Sequence, residues 1–64
     1  MKNILRELRK ERHLTQEELA KALGVSRQTI NAIENDKYNP TLELAIKLAR
    51  YVDIPVEKLF ILEE

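Results

Sequence analysis

Residues 14–49 read LTQEELAKALGVSRQTINAIENDKYNPTLELAIKLA, and most of the signals that predict the fold lie in these residues. Thr15 followed three residues later by Glu18 is the pattern of a capping box at a helix N-terminus. Gly24, the only glycine in the chain, is placed to end that helix in the left-handed conformation. Ser26 is a typical N-cap for the next helix. Because so few residues separate the two predicted helices, they must cross steeply, as in a helix-turn-helix.

The apolar residues of this stretch fit such a crossing. Ala20 is small, so the following helix can approach closely. Ile30 and Ile33 lie one turn apart and are expected to anchor that helix in the core. Together with the glycine turn, these positions predict the helix-turn-helix at about residues 15–35, within a single domain that covers residues 1–64.

Three more helices are expected around this pair. The first runs from about Lys2 to Arg12, because apolar residues share one face and charges occupy the others. Thr41 caps a fourth helix, and Pro55 opens a short fifth one, since proline is tolerated at a helix start. The predicted fold class is therefore all-α, with five helices and a C-terminal run that can form a short strand.

Composition excludes several classes of protein. A chain of 64 residues buries only roughly 60% of the surface that its unfolded form exposes, too little to enclose an ordinary substrate pocket. Without cysteine there is no disulfide and no thiolate metal site, and a single His leaves no metal site to predict. The longest apolar run, Leu59–Leu62, is too short for a transmembrane helix or a signal peptide. A cytoplasmic domain without cofactor, metal or small-molecule ligand is expected.

The charges balance overall but not along the chain. Eleven Lys and Arg face eleven Asp and Glu. Residues 1–13 contain five basic and two acidic side chains, a net charge of +3, whereas residues 53–64 contain one basic and four acidic ones, a net charge of −3. Because a polyanion responds to the local field of one face, zero net charge does not exclude a nucleic-acid partner.

The exposed face of the third predicted helix carries side chains that suit DNA recognition. Arg can bind the O6 and N7 atoms of guanine, and Gln or Asn can bind N6 and N7 of adenine. No carboxylate, which phosphate would repel, occurs between residues 24 and 33. The face comprises Ser26, Arg27, Gln28 and Asn31.

Residues 14–49 closely resemble the lambda-repressor/Cro-like helix-turn-helix family, also called the XRE family. The resemblance extends from LRELR in the first helix to VEKLF in the fifth, and its most specific motifs are VSRQTI, IEN and NPTLELA. It implies a bacterial or archaeal transcriptional regulator that binds near-palindromic double-stranded DNA, and repression is the expected activity. The compact subgroup it resembles consists essentially of the DNA-binding domain alone.

The resemblance also implies a role for individual residues. Arg9 and Glu34 match a structural ion pair between the first and third helices. Ala32 stands where a base-contacting polar side chain is frequent, and Asp36 where a small residue is common. The implied DNA-binding residues are Gln16, Ser26, Arg27, Gln28, Asn31, Asn35, Lys37, Tyr38 and Asn39.

Two other classes of function are alternatives to DNA binding. Catalysis is not expected, because His13 is the only imidazole and the helix cap accounts for Ser26, the only serine. A protein-interaction module, such as an antitoxin or an adaptor, remains the alternative, since one fold supports several functions. Packing of the Tyr38 ring on the fourth helix is likewise an alternative to a DNA contact. Lys10 and Arg12 are expected to form a solvated face.

The C-terminal end suggests a symmetric homodimer. A single recognition helix reads too few base pairs to select one site in a genome, and two-fold pairing doubles the sequence read. The run Phe60–Leu62 can pair as a strand with residues 1–3 of its own chain or across the two-fold axis. The expected dimer interface comprises Val56, Leu59, Phe60, Ile61 and Leu62.

Overall fold

The computed structural model describes residues 1–63 as five helices and one pair of short strands. The two strands are antiparallel neighbours that join the two ends of the chain. The elements are β1 (Lys2–Asn3), α1 (Leu5–Glu11), α2 (Gln16–Leu23), α3 (Arg27–Glu34), α4 (Leu42–Val52), α5 (Val56–Leu59) and β2 (Phe60–Ile61).

The helix starts and the turn between α2 and α3 follow the local sequence signals. The Oγ1 atom of Thr15 accepts from the Glu18 amide at 3.0 Å, and the Glu18 carboxylate accepts from the Thr15 amide at 2.8 Å, which completes the predicted capping box. Ser26 and Thr41 cap α3 and α4 through their hydroxyls. Gly24 ends α2 with φ +72°, in the left-handed region. These predictions are confirmed.

The first helix is shorter than predicted. It begins at Leu5 rather than near Lys2, because Lys2 and Asn3 pair with Ile61 and Phe60 in the two-stranded sheet. The C-terminal strand therefore pairs within its own chain, one of the two expected arrangements. A long-range pairing takes precedence here over the helical periodicity of the N-terminus.

Asn3 connects this sheet to the C-terminal end of α3. Its Oδ1 atom accepts from the Leu5 amide at 3.1 Å, at the start of α1. Its Nδ2 atom donates to the Ile33 carbonyl at 2.8 Å and to the Asp36 carboxylate at 3.2 Å. Asp36 has φ +60°, which explains the small residue expected there from the resemblance, and its carboxylate is engaged by Asn3.

The core is formed by one large side chain or more from every helix. Ala20 is 3% exposed, as the close approach of α2 and α3 requires. No helix among the described residues is long and apolar enough to cross a membrane. The fully buried large side chains are Leu5, Leu19, Ile30, Ile33, Leu48, Val52 and Leu59.

Arg12 is exposed, as expected of a solvated face, but its guanidinium also binds backbone carbonyls. Its guanidinium donates to the Val52 carbonyl at the end of α4 and to the Leu8 carbonyl at 3.2 Å. A cation at a helix C-terminus satisfies carbonyl groups that have no partner within the helix and complements the helix dipole. Arg12 therefore links α1 to α4. Lys10 is exposed, as expected.

The turn between α2 and α3 generates a stability prediction. Gly24→Val should lower the free energy of unfolding by more than about 1 kcal/mol, because a β-branched residue adopts positive φ only with strain. A Cβ atom at this position would meet no other atom within 4 Å, so the cost comes from the backbone alone. Gly24→Asn is the matched control and should cost less, since Asn tolerates the left-handed region. Equal thermal stabilities of the two variants would contradict this.

Candidate nucleic-acid interface

A buried ion pair holds α1 against α3 beneath the candidate interface. The Nε atom of Arg9 lies 2.6 Å from Oε2 of Glu34, and its Nη2 atom lies 3.1 Å from Oε1. The remaining Nη1 atom donates to the Leu14 carbonyl at 2.7 Å. The two residues are only 9% and 8% exposed. The expected pair between Arg9 and Glu34 is present, in a bidentate geometry.

Two further side chains donate to the same carboxylate. Gln16, the first residue of α2, places Nε2 3.0 Å from Oε1 of Glu34. Arg6 places Nε 3.4 Å from that oxygen. Glu34 therefore joins three helices at one point.

These contacts decide the protonation of the pair. Burial by itself raises the pKa of Glu34, but hydrogen bonds from Arg9, Gln16 and Arg6, together with the charge of Arg9, outweigh it and lower the pKa below its ordinary value of 4.5. The hydrogen bond to Glu34 raises the pKa of Arg9. Both groups are consequently charged at neutral pH.

From Gln16 a series of amide hydrogen bonds continues along α3. Asn31 Nδ2 lies 3.4 Å from Gln16 Oε1, and Asn35 Nδ2 lies 3.1 Å from Asn31 Oδ1. Asn35 also donates to the Asn31 carbonyl at 2.9 Å, and its own Oδ1 accepts from Arg6 at 2.8 Å. Gln16, Asn31 and Asn35, which the resemblance implies as DNA-binding residues, thus lie together.

The first turn of α3 presents its predicted residues to solvent. Ser26, Arg27 and Gln28 are all exposed. The Ser26 hydroxyl accepts from the Thr29 amide at 3.1 Å, so it serves the helix as a cap as well as facing solvent. Ala32 is half-buried and adds little to the polar face.

A cleft of about 400 Å³ opens between the starts of α2 and α3. Arg27 faces it from α3, and Gln16 and Glu17 face it from the first turn of α2. The free amide groups of a helix N-terminus favour an anion, whereas the carboxylate of Glu17 opposes one. Arg27 supplies the positive charge at the cleft that a DNA phosphate or a guanine edge requires.

The loop after α3 is exposed but ordered by backbone hydrogen bonds. The Lys37 amide donates to the Ala32 carbonyl at 2.9 Å, which closes the C-terminal end of α3. Lys37 and Asn39 are exposed. Tyr38 is also exposed, yet its side chain borders a depression shared with Val25 and Leu44. The loop therefore combines packing of Tyr38 near α4 with polar groups that face solvent.

The proposed dimer surface divides into buried and exposed parts. Leu59 is fully buried, so its assignment to a dimer interface is wrong: it packs inside its own chain. Phe60 is 7% exposed and lies at the edge of an apolar groove of about 540 Å³. Val56 and Leu62 border the same groove, and Leu62 is 75% exposed. Ile61 is also exposed.

Sequence reasoning missed Arg6 as a member of this network. The available signal was its spacing: Arg6 precedes Arg9 by three residues, which places both on one face of a helix. Spacing alone does not show which partner such a side chain meets, because Glu34 and Asn35 lie far away along the chain.

The sequence is similar to those of known helix-turn-helix proteins. The family described as Helix-turn-helix matches residues 5–59. An uncharacterised HTH-type transcriptional regulator of Methanocaldococcus jannaschii is 55% identical over 64 residues, which cover all of this chain and 97% of the relative. The cryptic phage CTXphi transcriptional repressor RstR of Vibrio cholerae is 42% identical over 55 residues, or 86% of this chain and 50% of that protein.

A solved structure is also similar. The restriction-modification controller protein C.AhdI from Aeromonas hydrophila superposes with a TM-score of 0.78 at 39% sequence identity. The match covers 88% of this chain and 85% of that one.

The ion pair predicts a pH-dependent loss of stability. At pH 7, Glu34→Gln should lower the free energy of unfolding by about 3 kcal/mol, because it leaves the buried Arg9 cation without its counter-charge. Because the pKa of Glu34 is lower in the folded protein than in the unfolded chain, the Glu34 charge contributes its full stabilisation above the unfolded value, here 4.5. This contribution is lost as the pH falls through the pKa of the folded state. The difference between wild type and variant should therefore shrink below about pH 4.5 in urea titrations.

Glu43→Gln is the matched control for this measurement. Glu43 pairs with Lys47 at 3.5 Å on the exposed face of α4, and such pairs contribute about 0–1 kcal/mol. A difference for Glu34→Gln that stayed constant down to pH 3 would show that the carboxylate charge is not what stabilises the helices.

Proposed function

This chain belongs to the helix-turn-helix family of DNA-binding transcriptional regulators, and we propose that it is a repressor that reads a near-palindromic operator through α3 in the major groove. The observation that carries the proposal is the exposed polar face of α3, which lies beside the N-terminus of α2. The similarity to a phage repressor supports repression rather than activation.

Two groups of side chains divide the work on DNA. Arg27 and Gln28, exposed on the first turn of α3, read base edges, since their donors and acceptors match guanine and adenine. Gln16 contacts a phosphate from the first turn of α2, where the helix dipole favours an anion. Lys37 and Asn39, in the loop after α3, bind the DNA backbone. Ser26 and Tyr38 lie at the margins of the DNA-binding surface. Base contacts would give specificity and phosphate contacts would set the register.

A second copy of this chain completes the site. Two α3 helices spaced by one DNA turn, roughly 34 Å, match a near-palindromic operator. The surface proposed for pairing is the apolar groove beside β2, where Leu62 and Leu42 are 75% and 74% exposed. Burying large apolar side chains that solvent now reaches favours association. Pro40, in the loop after α3, also borders this groove.

We further propose that the chain acts by binding alone, in the cytoplasm. Its one imidazole, His13, follows α1 with φ +56° and is exposed. The described residues also hold no cluster of three or more His, Cys, Asp or Glu side chains suited to a metal ion.

The two kinds of DNA contact predict different mutant behaviour. Arg27→Ala should cost about 1–3 kcal/mol of binding free energy and relax the base preference at one position of each half-site. Gln28→Ala should do the same at a neighbouring position. Lys37→Ala should weaken binding to all sequences alike and lower the slope of log K against log salt by about one. Titration of selected duplexes at several salt concentrations measures both effects.

Two results would contradict the proposed function. Specific binding that survives Arg27→Ala would mean that α3 is not the reading helix. Absence of salt-dependent binding to any duplex would favour a protein partner on the same surface.

The dimer proposal is tested by mass. Sedimentation equilibrium at micromolar concentration should give twice the 7.5 kDa of one chain. Leu62→Ser should shift the equilibrium toward monomer with little loss of stability, because Leu62 is exposed within one chain. Tyr51→Ser is the control, since Tyr51 borders a different depression with Ala22 and Arg50. A monomer for the wild type, or dimers unaffected by Leu62→Ser, would contradict pairing through this groove.

A further inference from the structure

The hydrogen bonds around α3 form a closed circuit that joins Arg6 to Glu34 by two routes. Arg6 donates to Asn35 at 2.8 Å, and Asn35 donates to the Asn31 side chain at 3.1 Å. Asn31 donates to Gln16 at 3.4 Å, and Gln16 donates to Glu34 at 3.0 Å. Arg6 also reaches Glu34 directly at 3.4 Å, which closes the circuit. Three side-chain amides therefore stand in series between one cation and one carboxylate.

The two charged ends determine which way each amide points. A guanidinium can only donate, so Asn35 must turn its oxygen toward Arg6. An ionised carboxylate can only accept, so Gln16 must turn its nitrogen toward Glu34. If the amide of Asn31 were reversed, two nitrogens would face each other on one side and two oxygens on the other. Such a reversal forfeits two hydrogen bonds, and the circuit therefore holds Asn31 in one orientation.

The orientation of Asn31 limits what its side chain can still bind. Its Nδ2 group has two N–H donors, of which Gln16 engages one, and its Oδ1 has two acceptor positions, of which Asn35 engages one. One donor and one acceptor remain for DNA. Adenine presents the complementary pair in the major groove, with N7 as acceptor and N6 as donor. Guanine presents two acceptors, N7 and O6, and leaves the Asn31 oxygen unpaired.

We propose that Arg6 is a positioning residue for sequence recognition, which holds Asn31 through Asn35 in the orientation that selects adenine over guanine at one position of each half-site. This inference rests on the proposed function, since it names one base that the α3 surface reads. Arg6 itself belongs to α1 and acts through the circuit rather than by reading a base.

The experiment measures base discrimination, which a loss of general affinity does not change. Duplexes are first selected from a random pool with the wild-type protein. The position that depends on Asn31 is the one where Asn31→Ala abolishes the preference. Adenine is then replaced by guanine at that position, and the ratio of the two dissociation constants is determined for each variant. For the wild type we expect a ratio of roughly 5- to 150-fold.

Arg6→Met removes the donor that fixes the circuit. Its ratio should fall below about 3-fold, while discrimination at the positions read by Arg27 and Gln28 persists. Arg6→Lys keeps a donor-only cation and should restore most of the adenine preference. Lys10→Met is the matched control, because Lys10 is an exposed cation on the same helix. It should weaken binding to all duplexes alike.

A second variant tests the same link without changing α1. Asn35→Ala interrupts the circuit but leaves the contact of Arg6 with Glu34 in place, and it too should lower the ratio. In an Asn31→Ala background, Arg6→Met should have no further effect on discrimination, as expected for residues that act through one another. If Arg6→Met fails to fold, Asn35→Ala still tests the positioning role, because it leaves Arg6 in place.

The failures are distinguishable. Retention of the full adenine preference in both Arg6→Met and Asn35→Ala would overturn the positioning role. A selected site that shows no position dependent on Asn31, or a preference there for guanine, would overturn it as well, while leaving DNA recognition through Arg27 intact. Only a wild type that selects no sequence at all would overturn the proposed function together with this inference.

Discussion

The Glu34 carboxylate is the point on which the arrangement of the helices depends. It accepts hydrogen bonds from α1 through Arg9 and Arg6 and from α2 through Gln16, while it belongs to α3. Removing a carboxylate and a guanidinium from water costs several kcal/mol for each ion, and only good geometry with further hydrogen bonds offsets this cost. Among the described residues, no buried side-chain nitrogen or oxygen lacks a partner. The pair therefore gives the three helices one specific relative placement, which apolar packing alone leaves less defined.

In a domain this small, hydrogen bonds at the helix termini and at the chain ends also stabilise the fold. Its core contains few large side chains, so each helix terminus that is satisfied contributes a sizeable share of the net stability. Thr15 and Ser26 satisfy two helix starts, and Arg12 satisfies the end of α4 from another helix. The strand pair holds the two chain ends together, and Asn3 extends this link to the carbonyl at the end of α3. The strand pair at the chain ends and the end of α3 are in this way parts of one connected structure.

Under the proposed function, the network that joins the helices also serves recognition. Gln16 and Asn31 are exposed enough to meet DNA, yet each donates or accepts within the network that joins the helices. Side chains held by such contacts lose less conformational freedom on binding, which lowers the entropic cost of association. Arg27 and Gln28 lie one turn earlier in α3 and are exposed at the surface. The proposed interface therefore combines amides that are held by hydrogen bonds with the exposed, longer side chain of Arg27.

The features that can be predicted from the sequence are those that depend on neighbours within one or two turns. The capping box at Thr15, the left-handed turn at Gly24 and the buried stripe of α3 follow from local hydrogen bonding and periodicity, because the interacting groups lie only a few residues apart. Resemblance to a known family extended this to the pair of Arg9 and Glu34. The contacts of Arg6 with Asn35 and Glu34, the start of α1 and the burial of Leu59 were decided only by the tertiary structure. The hydrogen bonds of Arg6 join residues that are 28 or more positions apart, and the strand pair joins nearly the two ends of the chain. No local pattern specifies which distant partner a side chain or a strand will meet.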